Sequence, residues 1–339
     1  MRAPTGPPAD PLVGRVVAGH QIGERVGEGG MGVVYAARPA GADASAPARF
    51  VVKVLRPVIA ADPTMVARLF NELRATEKVQ HPGVVRVHSV GEAPDVGPYV
   101  VMERLEGEGL GDLMKRRGQL AVEEAVRLCC ALSDVLGAAH AAGIVHRDLK
   151  PENVFVLPAG AVTPLKVLDF GMALVSDHSS PRMTKSFQTF GTPIYMSPEQ
   201  CASAKQVDHR TDIYALGVIA FEMIAGRPPF DAEGTGRLLA MHQYEPPPRL
   251  DRLAMHCPQG VADAIAQALA KKPDERYASA GAFARALAHA LSDARGKSPA
   301  SLGVTLPPQR APSPVRTVQQ QHAAVAATLP PTAPPTAPP

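Results

Sequence analysis

The run His146-Arg147-Asp148-Leu149-Lys150-Pro151-Glu152-Asn153, with Asp169-Phe170-Gly171 shortly after it, gathers three carboxylates, an amide and an ammonium into one stretch of chain. A lone Asp in a loop is most often a turn former, because its side chain bonds its own backbone. That explanation is too small for eight consecutive residues of this kind. Transfer of a phosphoryl group needs a carboxylate to orient the attacking hydroxyl, oxygen ligands for magnesium and cations for the phosphate oxygens. Asp148, Asn153, Asp169 and Lys150 are groups of those types.

Working outward toward the N-terminus, Gly27-Glu28-Gly29-Gly30-Met31-Gly32-Val33-Val34 has the glycine spacing that lets backbone approach phosphate without a Cβ in the way. In a dinucleotide fold such a turn opens a helix. Here Val33-Val34-Tyr35 favours a strand, so the loop reads as a hairpin over a nucleotide, with Val26 and Val34 placed to touch its base. An ordinary Gly-rich turn is the alternative. Lys53 stands in Phe50-Val51-Val52-Lys53 and shares a strand face with Val51 and Leu55. It is either an edge gatekeeper or a functional cation. Glu72 lies near the apolar face of a predicted helix, where a carboxylate wants a cation. Either Lys53 is that partner, aimed at phosphate oxygens, or Glu72 is solvated.

Further strands are predicted at Gly83–Val87 and Tyr99–Val101. A helix is predicted over about Pro63–Val79, from the spacing of Val66, Leu69, Phe70 and Leu73. Residues 107–290 read as mostly helical. Val122, Val126, Cys129, Leu132 and Leu136 form a stripe there, and Ile213–Ile224 is apolar nearly all round, the mark of a buried central helix. A sheet-rich lobe followed by a helical lobe leaves a cleft between them, a common place for a ligand. Residues 1–18 read as a loose leader. Lys297–Pro339 holds eleven prolines and no acidic residue, which makes 291–339 a linker or polyproline-like tail. Its ending leaves room for further domains or an anchor.

Composition excludes several classes. The 339 residues carry 45% hydrophobic and 20% charged side chains and a net charge of +3, a globular balance without a large basic field for nucleic acid. Aromatics are 4% with no Trp, so a base-stacking platform is not expected. No run reaches the roughly 18 apolar residues that span a bilayer. Four cysteines without CxxC spacing suggest reduced thiols in a cytoplasmic protein rather than zinc or a disulfide scaffold.

Taken together, the glycine loop, Lys53, His146–Asn153 and Asp169–Gly171 resemble a Ser/Thr protein kinase, most closely the bacterial eukaryotic-like (Hanks-type) kinases, over roughly residues 19–290. The resemblance implies an α+β, two-lobed fold: a small antiparallel-sheet lobe with one helix over 19–104, and a larger helical lobe over 105–290. It implies ATP and Mg2+ as cofactors and Ser/Thr-bearing proteins as partners. Gly27–Val34 would cover the phosphates, and Lys53 would pair with Glu72. Met102 would be the gatekeeper and Glu103 to Leu105 the adenine-binding hinge. Asp148 would be the catalytic base and Lys150 would stabilise the transferring phosphate. Asn153 and Asp169 would hold magnesium. Lys150 within Asp148–Asn153, and the segment Gly191–Glu199, resemble the Ser/Thr form. Thr192 would bond Asp148 and Lys150, Glu199 would pair with Arg276, and Asp212 would anchor the catalytic-loop backbone or simply cap its helix. Two departures stand out: Val51 replaces the usual Ala over adenine, and Ser197-Pro198-Glu199 replaces Ala-Pro-Glu.

The resemblance also implies, from Arg147 before Asp148, a basic pocket completed by an activation-loop phosphate. Of the hydroxyls between Asp169 and Glu199, Thr184 and Ser186 are the expected autophosphorylation sites, with Thr189 as a further candidate and self-association as the route; plain solvated hydroxyls are the alternative. The competing functions are a catalytically silent kinase-like scaffold and a nucleotide-binding oxidoreductase. The intact Asp148, Asn153 and Asp169 speak against the first, and the strand after the glycine loop against the second.

Overall fold

Alternation of side chains sorts the N-terminal strands. The computed structural model describes residues 10–43, 45–170, 193–202 and 207–296. In it β1 (Val16–Val17), β2 (His20–Gly29), β3 (Gly32–Pro39), β4 (Phe50–Leu55), β5 (Val87–Ala93) and β6 (Gly97–Glu103) form an antiparallel sheet in the order β1-β2-β3-β4-β6-β5. Val52, Val54, Tyr99 and Val101 point to one side, into a cluster with Val17, Ile22 and Tyr35. Leu55, Val100 and Met102 point to the other, against Val66, Leu69, Phe70 and Leu73. Those four belong to α2 (Pro63–Thr76), which follows the one-turn α1 (Pro57–Ala60). Asp62 starts α2 by accepting from the N–H groups of Thr64 at 3.0 Å and Met65 at 3.1 Å, and Pro63 occupies a first-turn position that needs no donor. The helix stops three residues short of the predicted Val79.

The second lobe contains β7 (Glu108–Gly109), α3 (Leu110–Arg117), α4 (Val122–Ala141), β8 (Val154–Val156), β9 (Leu165–Val167), α5 (Pro198–Ala202), α6 (Arg210–Ala225), α7 (Thr235–Tyr244), α8 (Leu250–Leu253), α9 (Gln259–Ala268) and α10 (Ala280–Arg295). The α4 stripe and most of α6 are buried in one core, as their patterns predict. Each large apolar side chain there contributes about 1.5–3 kcal/mol by leaving water. The structure is thus a small antiparallel-sheet lobe with one long helix, followed by a helical lobe. Among the described residues, no helix is long and apolar enough to cross a membrane.

Three sequence expectations need correction. The leader does not extend to residue 18. Val16 and Val17 pair with Gln21 and His20 across a turn at Ala18 (φ 47°) and Gly19 (φ 73°), a two-residue left-handed turn that suits a hairpin. Val17 is buried, and the Tyr35 hydroxyl donates to Asp10 Oδ2 at 2.8 Å. At the other end, α10 continues past 291 to Arg295 and closes on Gly296 in the left-handed region (φ 59°). The strand predicted at Gly83–Val87 begins only at Val87. The backbone before it instead bonds β9, with Val167 N–H donating to Gly83 O at 2.7 Å and Val85 N–H to Val167 O at 3.1 Å. The second lobe is mostly helical, as expected, and also carries the short antiparallel sheet β7-β8-β9, whose strands are too brief to leave a periodic signal.

Candidate active site

The loop His146–Asn153 hangs from one buried carboxylate. Asp212, in the first turn of α6, accepts from His140 Nε2 at 2.7 Å and from the backbone N–H groups of His146 at 2.9 Å and Arg147 at 2.8 Å. Burial by itself would raise the Asp212 pKa; the His140 hydrogen bond, the two histidine charges and the backbone donor together hold it below the usual carboxylate range. The helix N-cap is His209, so Asp212 is no cap. Arg147 sits at a left-handed φ of 64°, which turns the chain into Asp148. Asp148 Oδ2 accepts from Lys150 Nζ at 2.7 Å, and the Asn153 amide nitrogen donates to Asp148 O at 2.8 Å. Because that nitrogen is committed, Asn153 Oδ1 is the atom left for a cation.

Leu168 ties the other half of the site to this loop. Its N–H donates to Asn153 O at 2.8 Å, and its carbonyl accepts from His146 Nε2 at 3.1 Å. Phe170 is buried against the His146 ring, with centroids 4.7 Å apart. Between them Asp169, at φ 54°, presents Oδ2 to Lys53 Nζ at 2.7 Å. Lys53 is therefore a buried cation rather than an edge gatekeeper.

Its partner differs from the expected one. Lys53 pairs with Asp169, which follows β9, and not with Glu72. Among the described residues, no hydrogen-bond donor reaches the Glu72 carboxylate. Burial raises the pKa of that carboxyl, against the opposing pull of the Arg147 charge.

The residues expected to meet a nucleotide lie mainly in the strands next to Lys53. Gly27, Glu28, Gly29 and Gly32 lie in the β2–β3 hairpin, with Gly30 and Met31 at its turn, so the glycine loop leads into a strand and not a helix. Gly32 cannot be replaced without movement: a Cβ there would stand 2.2 Å from Val54 O. Val26 is exposed, and Glu28 is held on the surface by Arg25 and Arg56. Val34 lies beside Lys53 and Val51 beside Met102 in the sheet registers. Met31, Val51, Leu105 and Leu168 pack against the cluster that contains Met102, giving an apolar wall next to the charged pair. Glu103 ends β6.

Hard oxygens at Asn153 and Asp169 fit magnesium, which keeps several waters and is usually held by one or two protein ligands plus substrate phosphates. Among the described residues, no group of three His, Cys, Asp or Glu side chains could hold a metal unaided.

Comparison with known proteins gives the family. The description "Protein kinase domain" matches residues 20–291. The chain belongs to the protein kinase domain family. It is 40% identical over 316 residues to the serine/threonine-protein kinase Pkn1 of Myxococcus xanthus, covering 91% of this chain and 44% of Pkn1. It is 37% identical to pkn3 of the same organism, covering 82% of this chain and 51% of pkn3. Against PknA of Mycobacterium tuberculosis it is 36% identical, covering 94% and 71%. The chain thus spans about half the length of the first two relatives. The crystal structure of the PknI kinase domain of M. tuberculosis superposes with a TM-score of 0.64 at 28% identity, over 83% of this chain and 98% of that one.

Beside this candidate site, Arg276 spends all five of its N–H donors. Two go to the Glu199 carboxylate at 2.7 and 2.8 Å, and the others to Ala270 O, Lys271 O and Arg210 O. Its guanidinium also lies 4.9 Å from the centroid of the Tyr214 ring. This fastens α5 to the start of α6. From α5, Gln200 Nε2 donates to Arg147 O at 2.7 Å and so reaches the loop His146–Asn153. Thr184, Ser186, Thr189 and Thr192 lie outside the described residues. Sequence reasoning missed His140, Leu168 and Gln200. His140 carried the only available signal, as a polar residue inside an otherwise apolar helical stretch.

Proposed function

We propose that this chain is a protein kinase that transfers the γ-phosphoryl group of ATP to Ser or Thr hydroxyls of proteins. The observation that supports it best is the joining of the two halves of the site through Leu168: the loop carrying Asp148 and Asn153 is bonded to the residue next to Asp169, and Asp169 bonds Lys53 of the other lobe. In this reading Asp148 orients the substrate hydroxyl and takes its proton as the new oxygen–phosphorus bond forms and ADP leaves. Lys150, already on Asp148 Oδ2, faces the same oxygens and offsets their charge. Lys53 steadies the phosphates from above, and the β2–β3 hairpin covers them. Asn153 and Asp169 would hold magnesium, which supplies neutralisation of phosphate charge.

Lys150 and the names of the similar proteins favour Ser/Thr over Tyr. Activation by phosphate at Thr184, Ser186 or Thr189, through contact between copies, extends the same proposal, with Arg147 as the receiving cation. Four free cysteines, three of them buried, fit a reducing cytoplasm, where ATP is available. The test is transfer of label from γ-labelled ATP to protein substrate, with and without EDTA, followed by phosphoamino-acid analysis. Metal-dependent phosphoserine or phosphothreonine is expected; ATP binding without transfer would instead fit a silent scaffold.

A further inference from the structure

Strand β9 brings Asp169 into the site, and its middle residue, Lys166, lies between two wholly buried neighbours, Leu165 and Val167. Its side chain turns the other way and crosses to the hinge. Lys166 Nζ donates to Glu103 Oε1 at 2.5 Å, with side-chain exposures of only 16% and 27%. The same Glu103 oxygen accepts the Arg86 backbone N–H at 2.7 Å, and Glu103 N–H donates to Arg86 O at 3.0 Å. Together with the bonds from Val167 to Gly83 and Val85, this makes the hinge end of β6, the approach to β5 and the whole of β9 one bonded unit. A half-buried charge pair in place of apolar packing costs desolvation, so its benefit has to lie in placement.

We propose that the Glu103–Lys166 pair is a positioning device that fixes the separation between the hinge, where a base would lie, and Asp169, where the metal-bound phosphates would lie. The proposal rests on the kinase reading of the site. Two residues separate Lys166 from Asp169, and one of them, Leu168, is already bonded to Asn153 and His146, so a shift of β9 relative to the hinge moves the metal-binding end as a block. A ligand that touches both ends gains from the fixed spacing. A ligand that touches only the hinge does not.

Calorimetric titration of the full chain with Mg·ATP and with adenosine separates the two. Lys166→Met is expected to weaken Mg·ATP binding about tenfold, as for loss of one partner of a partly buried pair, and to leave adenosine within about twofold. Lys166→Arg should recover most of the loss, because the charge returns. Glu103→Gln combined with Lys166→Met should be no worse than the more damaging single change. Unaltered adenosine binding also shows that the variant hinge is folded. Equal weakening of both ligands, strictly additive losses, or tighter Mg·ATP binding in Lys166→Met would overturn the proposal while the wild type still binds ATP. A wild type that binds neither ligand would overturn the kinase reading, and this inference with it.

Discussion

Replacing Arg276 with Lys tests the brace behind the active site. The guanidinium is fully enclosed, with 0% side-chain exposure, and each of its five N–H groups has an acceptor between 2.7 and 3.1 Å. An ammonium offers three donors and no planar fork, so at least two acceptors lose their partners. Each abandoned buried acceptor costs about 1–3 kcal/mol, which places the loss near 4 kcal/mol, in line with the roughly 3–5 kcal/mol for breaking a buried pair. For a domain of this size about 2 °C accompanies each kcal/mol, so Tm should fall by roughly 8 °C. Thermal and urea unfolding of Arg276→Lys, Glu199→Gln and the pair Arg276→Met with Glu199→Leu would measure it. The apolar pair should retain more stability than either single change, because no charge is stranded. A Tm within about 1 °C of wild type for Arg276→Lys would refute the reasoning, since it would mean that the five bonds are not holding α5 in place.

Three further outcomes follow from the same geometry. The Asp212 carboxyl is held below its usual range, so its contribution is complete above the unfolded Asp pKa near 4 and is lost as pH falls through the depressed folded value; urea unfolding should show Asp212→Asn less stable than wild type by about 3 kcal/mol at pH 7, with the gap closing only in acid. His242 is buried beside Tyr214, and burial, aided by the Lys271 charge, lowers its pKa from 6.5 to about 4. The unfolded chain therefore binds the extra proton first. Stability is full above about pH 6.5 and falls toward pH 4, by up to about 3 kcal/mol, and His242→Gln should flatten that slope. Gly32→Ala would force its Cβ against Val54 O, so hydrogen exchange at the β3–β4 register should speed up and ATP affinity should drop; unchanged exchange would contradict the close approach.

Much of the site was legible because its chemistry lies in contiguous runs. His146–Asn153 and Asp169-Phe170 needed no structure to be singled out, and the glycine loop was read as a hairpin from Val33-Val34-Tyr35 alone. The two-faced pattern of β4 and β6 and the apolar α6 likewise reported the lobes. What the sequence hid was pairing across distance. Glu72 was the partner the sequence offered Lys53, and only the fold shows that Asp169 takes the ammonium while burial raises the Glu72 pKa. The strands β7, β8 and β9 were invisible because two- and three-residue strands carry no period, and Val16–Val17 were masked by the proline-rich context before them. Lys166 drew no reading from the sequence because nothing local points from β9 to the hinge.

The most direct test of the whole account separates binding from chemistry at Asp148. Single-turnover transfer from labelled Mg·ATP by Asp148→Asn should be slower than wild type by about 10²–10⁴, with ATP affinity within about threefold of wild type, because in the proposed role Asp148 meets the hydroxyl and not the nucleotide. Transfer at the wild-type rate by Asp148→Asn would contradict it.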